Sequence, residues 1–220
     1  MPGLEIDLLK NYPKAKRDLT ARLENKSDEV RRIARQFGRD FFDGNRDYGY
    51  GGFQYQPRFW QPVVPDLISH FGLNQQTRLL DVGCAKGFML YDLQLAVPEI
   101  QLQGIDISSY AIEHAKEEVR HLIRQGCATN LPFEDESFDV VISINTVHNL
   151  DIDDCARALT EIERVSRGKS FITVDAYRND EEKKKMEAWN LTAKTMMHVE
   201  EWKSFFKLHG YTGDYFWFIP

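Results

Sequence analysis

The chain has 220 residues, of which 42% are hydrophobic and 28% charged, and its formal net charge is -6. This length and composition predict a globular protein with its own buried core, and they exclude a disordered, collagen-like or disulfide-stapled chain. The negative charge disfavours nucleic acid as a partner. The cysteines form no CxxC pair, which predicts no metal site and reduced thiols in a cytoplasmic protein. No apolar run of about 18 residues occurs, so no membrane partner is predicted.

The first 62 residues are predicted to form a helical extension that ends in a lid over residues 63–220, the main domain. Residues 1–43 are polar with helical spacing, and Ser27 is placed to cap a helix with one apolar face. From Gly44 to Trp60 glycines and aromatics alternate, which rules out a regular helix. The lid side chains predicted to contact a bound molecule are Tyr48, Tyr50, Tyr55 and Arg58. The alternative is a glycine-rich loop whose aromatics only cover the domain edge.

Beyond residue 62, apolar strands and amphipathic helices alternate. Strands are predicted at 78–82, 101–105, 139–144, 170–174 and 215–219, and helices at 63–71, 85–96, 108–124, 153–166, 181–196 and 200–209. Such alternation predicts an α/β fold with a doubly wound, mostly parallel sheet of about six to seven strands. Right-handed crossovers then place a ligand crevice at the carboxyl ends of the strands.

The segment Leu79–Phe88 (LLDVGCAKGF) joins the first strand to the helix after it. The small residues Gly83, Ala85 and Gly87 let the backbone approach a ligand closely, and the helix N-terminus offers free N–H groups. Asp106 ends the second strand, where a carboxylate is placed to accept the ribose hydroxyls of an adenosine cofactor. The alternative is that Gly83 and Gly87 only form a turn and that Asp106 only caps the next helix. Both features, however, occur together here at the ends of neighbouring predicted strands.

Three segments resemble motifs of the class I S-adenosylmethionine-dependent methyltransferases. Leu79–Phe88 resembles the first motif of that family, Gly104–Ser108 its ribose-binding motif, and Gly126–Val141 its adenine-side loop and fourth strand. The resemblance covers about residues 60–175, and its motifs occur in the expected order. It implies a Rossmann-like methyltransferase fold, S-adenosylmethionine as the cofactor and methyl transfer as the reaction.

The resemblance also implies roles for individual residues. The turn that holds the cofactor is implied to consist of Gly83, Cys84, Ala85 and Gly87. Asp81 is implied to lie near the methionine amino group, Asp106 at the ribose and Asn145 beside the sulfonium. The residues implied on the adenine side are Ile107, Cys127 and Ala128.

Three features depart from the family pattern. Ala85 stands where the family usually has glycine, and it is unstrained only if its φ angle is negative. Cys127 stands where many members have an acid that meets the adenine amino group, so that contact is lost or supplied by the backbone. One strand follows Gly210, whereas the family often ends in a hairpin, so we expect a sheet of about six strands rather than seven.

The acceptor side of the crevice is less clear from the sequence. His148 follows the fourth strand, where a neutral imidazole is placed to take a hydroxyl proton; the alternative is a packing or capping histidine. Asp175 and Tyr177 end the fifth strand and are predicted to orient the substrate, although Asp175 has the alternative role of capping a turn. The acids 151, 153 and 154 suggest a metal-assisted reaction, but a helix N-terminus enriched in acids explains them more simply.

These observations predict methyl transfer to an oxygen or nitrogen atom of a small-molecule acceptor. The first alternative is an RNA or protein methyltransferase that uses the basic residues between Lys10 and Arg39. A nicotinamide-dependent oxidoreductase is a second alternative, although Gly83 and Gly87 do not follow the G-x-G-x-x-G spacing. A third is a binding module that keeps the cofactor pocket and lacks catalysis. The sequence leaves the oligomeric state open, with a homodimer as one arrangement.

Overall fold

The computed structural model describes residues 3–13, 27–49 and 54–220. Its helices are α1 (Asp28–Ala34), α2 (Arg39–Asp43), α3 (Pro57–Trp60), α4 (Val64–Phe71), α5 (Phe88–Ala96), α6 (Ser109–Glu113), α7 (Glu117–Arg120), α8 (Ile152–Val165), α9 (Asp180–Trp189) and α10 (Val199–Leu208). Its strands are β1 (Arg78–Val82), β2 (Gln101–Asp106), β3 (Ile123–Gln125), β4 (Val140–Ile144), β5 (Ser170–Tyr177), β6 (Met197–His198) and β7 (Asp214–Phe218).

These seven strands form one sheet in the order β3-β2-β1-β4-β5-β6, with β7 also paired to β5. Every strand pair is parallel. The predicted doubly wound parallel α/β fold is therefore confirmed. The expectation of six strands was wrong, because the short strands β3 and β6 are too brief to produce a period in the sequence.

Apolar residues cover both faces of the sheet, as a parallel sheet requires. One buried cluster joins the sheet to α8 and α10 and includes Trp202, Phe206 and Leu159. The second joins the opposite face to α4 and α5 and includes Leu67 and Leu90. Both faces are thus occupied by helices, which leaves the carboxyl ends of the strands as the place for a crevice.

Three predicted helices have different bounds in the structure. The helix predicted at 85–96 begins only at Phe88, because Ala85 and Gly87 have positive φ angles. The helix predicted at 108–124 is broken into α6 and α7, and its last residues belong to β3. The helix predicted at 181–196 ends at Trp189, where the Asn190 side chain exchanges hydrogen bonds with the main chain of Ala193 and stops the helix.

The beginning of the chain is not helical where it is described. Glu5 forms a parallel bridge with Tyr215 of β7, and Leu8 is buried in the core. Residues 3–12 therefore pack against later parts of the chain, with Leu8 in the core and the Tyr12 ring against Phe59 and Trp60. In the described ranges, no helix is long and apolar enough to span a membrane.

Candidate functional site

The turn after β1 brings two backbone N–H groups to one acceptor at the end of the neighbouring strand. The N–H groups of Gly83 and Cys84 donate to the Ile105 carbonyl at 2.7 and 3.1 Å. Gly83 has φ +84°, and a Cβ built on it would lie 2.0 Å from Thr146 Oγ1 in the turn after β4. Only glycine fits there, and the close approach joins the ends of β1, β2 and β4 into one crevice.

Ala85 adopts the strained conformation that the sequence left as one of two outcomes. Its φ angle is +48°, which costs an L-residue other than glycine about 1 kcal/mol. Its N–H donates to Asp106 Oδ2 at 2.7 Å, a hydrogen bond to a carboxylate that offsets this cost. The small side chain therefore serves at a position where the family usually has glycine.

Asp106 ends β2 and is buried, with 8% of its surface exposed. Its two carboxylate oxygens accept the N–H groups of Ala85 and Ser108, at 2.7 and 2.8 Å. Burial raises the pKa of Asp106, and these backbone donors oppose that rise. A carboxylate has about four acceptor positions, so Asp106 retains capacity to accept a ribose hydroxyl.

Asp81 lies beside Asp106 at the end of β1 and is 4% exposed. Burial and, secondly, the charge of Asp106 raise the pKa of Asp81 to about 8. Over the described part of the chain, no hydrogen bond or ion pair reaches its carboxylate. A buried carboxylate with no cation beside it is either protonated or matched by a positive ligand, so this pair is suited to a cationic ligand. The ammonium and sulfonium groups of S-adenosylmethionine fit this requirement, with the ribose hydroxyls at Asp106.

The predicted adenine side lies beyond β2 and β3. Ile107 is 54% exposed directly after Asp106, which leaves an apolar side chain for a ring to stack on. Ala128 is half-buried and packs against the core. Cys127 Sγ lies 3.0 Å from Thr129 Oγ1, so the thiol is engaged with a neighbouring hydroxyl and provides no acid at this position.

A model of a family described as a methyltransferase domain matches residues 73–210. The chain belongs to this methyltransferase domain family. The predicted membership of the class I S-adenosylmethionine-dependent methyltransferases is therefore confirmed, and with it the enzyme class and the cofactor. Asp81, Asp106 and the turn between β1 and α5 are the residues whose geometry fits that cofactor.

Similar proteins support the same family. The chain is 33% identical over 104 residues to O-methyltransferase rstn1 of Aspergillus nomiae, covering 44% of this chain and 45% of the relative. It is 34% identical over 115 residues to demethylmenaquinone methyltransferase of Staphylococcus aureus, covering 50% and 46%. The crystal structure of YcgJ from Bacillus subtilis has a TM-score of 0.55 at 21% identity, covers 66% of both chains and shows the fold alone. The matches thus span just under half the length of these curated relatives.

At the acceptor side, His148 and Asp175 are in contact in the methyltransferase domain. The Asp175 N–H donates to His148 Nδ1 at 2.9 Å, and His148 Nε2 lies 3.6 Å from Asp175 Oδ1. Burial lowers the pKa of His148 to about 3, so the ring is neutral at physiological pH. In this arrangement its unprotonated nitrogen is occupied, which weighs against the predicted role as a base. Tyr177, on the same strand, packs edge-on against His198.

Asn145 lies between the cofactor turn and β5. It is exposed, has φ +53°, and its Oδ1 accepts the Thr173 hydroxyl at 2.9 Å. Thr146, the next residue, is the one that packs against Gly83. The structure therefore brings Asn145 to the rim where the sulfonium is implied.

The predicted lid residues have different surroundings in the described part of the chain, and their contact with an acceptor stays a prediction. Tyr55 donates a hydrogen bond to Asp92 of α5, and burial together with this bond raises the pKa of Tyr55 to about 12. Arg58 is exposed and lies 5.0 Å from the ring of its neighbour Phe59. Tyr48 is half-buried. Tyr50 lies outside the described residues. Residues 54–60 run along α5, so Tyr55 lies against the outer side of that helix and Arg58 lies at the protein surface.

The sequence did not reveal that residues 35–43 cross the crevice. Arg35 donates to the carbonyls of Thr192 and Ala193, on the β5 side. At the other end, Asp43 binds Lys86 of the cofactor turn at 2.6 and 2.8 Å and accepts the Tyr110 hydroxyl at 2.8 Å. The Phe37 carbonyl also accepts the Ser108 hydroxyl. We name residues 35–43 the strap.

The acids at the start of α8 have ordinary partners. Asp151 pairs with Lys194, and Asp154 pairs with Arg157. Within the ranges that the structure describes, no group of three or more His, Cys, Asp or Glu side chains is arranged to hold a metal ion. A cavity of about 650 Å³ lies on the outer side of the cofactor turn, and its lining includes Lys86, Lys116 and Tyr55.

Proposed function

We propose that the chain transfers the methyl group of S-adenosylmethionine to an oxygen or nitrogen atom of a small-molecule acceptor. The observation that carries this proposal is Asp81, a buried carboxylate without a partner in the described chain, beside Asp106 at the strained turn of the family motif. A cationic adenosyl ligand supplies what this site lacks. Transfer to oxygen agrees with the printed name of the Aspergillus relative, and a small acceptor agrees with that of the Staphylococcus relative.

When bound, the cofactor supplies an electrophilic methyl carbon on a sulfonium. Asp106 would accept the ribose hydroxyls, Asp81 would hold the ammonium, and the N–H groups at the start of α5 would meet the methionine carboxylate of the cofactor. Ile107 and Ala128 would lie on the adenine side. Methyl transfer is an in-line displacement, so these residues accelerate it chiefly by positioning the methyl carbon against the acceptor.

The alternative of an RNA substrate has less support. Lys10 pairs with Asp66, Arg32 pairs with Glu29, and Arg35 binds carbonyls across the crevice. In the described part of the segment 10–39, these basic groups are engaged within the chain and are not arranged as a free surface for phosphates. The predicted division into an extension (1–62) and a domain (63–220) stays a prediction, as does the oligomeric state.

Two measurements test the proposal. Thermal shift should show stabilisation by S-adenosylhomocysteine and none by NADH at equal concentration, since a ligand that binds the folded state raises its stability. Release of S-adenosylhomocysteine from S-adenosylmethionine should then be measured with a panel of phenols, hydroxynaphthalenes and primary amines, and with total RNA for comparison. Binding without turnover of any panel member would contradict the small-molecule proposal, and turnover of RNA alone would favour the alternative.

A further inference from the structure

One buried histidine ring lies against a single residue of the neighbouring strand β5. His148, in the short turn after β4, accepts the Asp175 N–H at Nδ1. A ring nitrogen that accepts from an N–H carries no proton, so the neutral ring bears its proton on Nε2. The Nε2 atom lies 3.6 Å from Asp175 Oδ1, a close contact of the ring with the carboxylate that is longer than a hydrogen bond.

Asp175 is held on its other side as well. Its carbonyl accepts the indole N–H of Trp202 at 3.0 Å, so both main-chain groups of this residue are fixed by buried side chains. Neither contact is one of the hydrogen bonds between parallel strands, so both are additional to those that form the sheet. They set the position of the Asp175 carboxylate at the carboxyl end of β5.

A row of polar side chains leads from the cofactor turn to this carboxylate. Gly83 touches Thr146, and the adjacent Asn145 accepts the hydroxyl of Thr173 on β5. Alternate residues of a strand share a face, so Asp175 lies on the same face as Thr173, one step further toward the crevice. Asp175, which is 3% exposed, therefore lies at the carboxyl end of β5, two residues beyond the Asn145–Thr173 contact and on the same face of the strand.

We propose that Asp175 is the catalytic residue that accepts the proton of the acceptor, and that His148 is a positioning residue that holds Asp175. This inference rests on the proposed function. The acceptor's lone pair forms the bond to the methyl carbon, and the carbon–sulfur bond breaks with its electrons remaining on sulfur. The O–H or N–H proton of the acceptor goes to the Asp175 carboxylate, which becomes a carboxylic acid and then loses the proton to water.

The geometry argues against His148 as the proton acceptor. A histidine base would need an unprotonated Nε2 and therefore a proton on Nδ1. That proton would face the N–H of Asp175 at 2.9 Å between the nitrogens, with two donors opposed in a buried site. Such a tautomer loses one hydrogen bond and leaves two buried donors unpaired, so the protein favours the Nε2–H form.

The first test reads the tautomer directly in the full chain bound to S-adenosylhomocysteine. Two-dimensional ¹H–¹⁵N spectra of histidine-labelled protein should show His148 neutral, with Nε2 protonated and Nδ1 accepting, throughout pH 5.5–8. The signal is assigned by its loss in His148→Asn. A protonated Nδ1, or a ring that titrates in this range, would overturn the positioning role without any need for an acceptor.

The second test uses the member of the acceptor panel with the highest turnover. Asp175→Asn should lower kcat about 100-fold or more and change the affinity for S-adenosylhomocysteine less than about twofold. His148→Asn retains an oxygen where Nδ1 lies, so its kcat should stay within about tenfold of the unmodified chain, while a general base would cost about 100-fold. Asp153→Asn, an exposed acid on α8, is the matched control with unchanged kcat.

Two kinetic outcomes would refute the proposal. Full turnover by Asp175→Asn would remove Asp175 from the reaction. Equal losses in His148→Asn and Asp175→Asn, with unfolding temperatures unchanged, would return the base role to the ring. Failure of the proposed function looks different, because the unmodified chain would then turn over no panel member or bind no S-adenosylhomocysteine.

Discussion

Proton release on cofactor binding is the sharpest consequence of the buried carboxylate pair. Burial and the charge of Asp106 raise the pKa of Asp81 to about 8, so Asp81 is protonated in most ligand-free molecules at pH 6.5. S-adenosylhomocysteine has an ammonium group and no sulfonium charge. If its ammonium lies against Asp81, binding favours the carboxylate, and close to one proton should leave the protein at that pH.

The size of the effect follows from the pKa. At pH 6.5 ionising Asp81, whose pKa is about 8, costs about 2 kcal/mol, at 1.36 kcal/mol per pH unit. The affinity for S-adenosylhomocysteine should therefore rise about 16-fold between pH 6.5 and 8, reach about 30-fold above pH 9, and then level off. Calorimetry at pH 6.5 in two buffers with different ionisation enthalpies measures the released proton directly.

The control is Asp81→Asn, which removes the ionisable group at nearly equal size. This variant should release no proton and should bind S-adenosylhomocysteine more weakly above pH 8. Folding stability depends on pH in the opposite direction to ligand affinity. Because folding raises the pKa of Asp81 from 3.8, the stability of the unmodified chain falls as pH rises from about 4 to 8. The variant should lack that fall. A binding heat independent of buffer, with affinity flat across pH 6.5–8, would refute the ammonium site.

Three further substitutions test other contacts. Asp106→Ala should weaken S-adenosylhomocysteine binding at least about 100-fold, by about 3 kcal/mol for lost charged hydrogen bonds, with a folded circular dichroism spectrum; unchanged affinity by calorimetry would refute the ribose role. Gly83→Ala should destabilise the fold by about 2 kcal/mol or more, since its Cβ would meet Thr146; an unaltered urea midpoint would contradict the close approach. Asp43→Asn leaves Lys86 without its carboxylate and should speed S-adenosylhomocysteine dissociation in stopped flow; an equal rate would show that the strap does not restrain the cofactor.

Local sequence signals were sufficient for the long elements. The buried runs of β1, β4 and β5 and the amphipathic α8 were predicted within a few residues of their observed bounds, because each contains a strong period of its own. The N-terminal residues were misread for the opposite reason. Residues 3–12 mix polar and apolar side chains, and their backbone is held by the bridge of Glu5 to Tyr215 of β7, about 200 residues away in sequence.

The sequence by itself determined the family, the cofactor turn and the acids at its two strand ends, because those residues lie close together along the chain and their chemistry is local. Only the tertiary structure decided how distant residues meet. It paired Asp43 with Lys86 and brought the His148 ring into hydrogen-bond contact with the Asp175 N–H. Such contacts depend on strand order and on which face each side chain takes, and a neutral, buried histidine cannot be told from an active base until its neighbours are known.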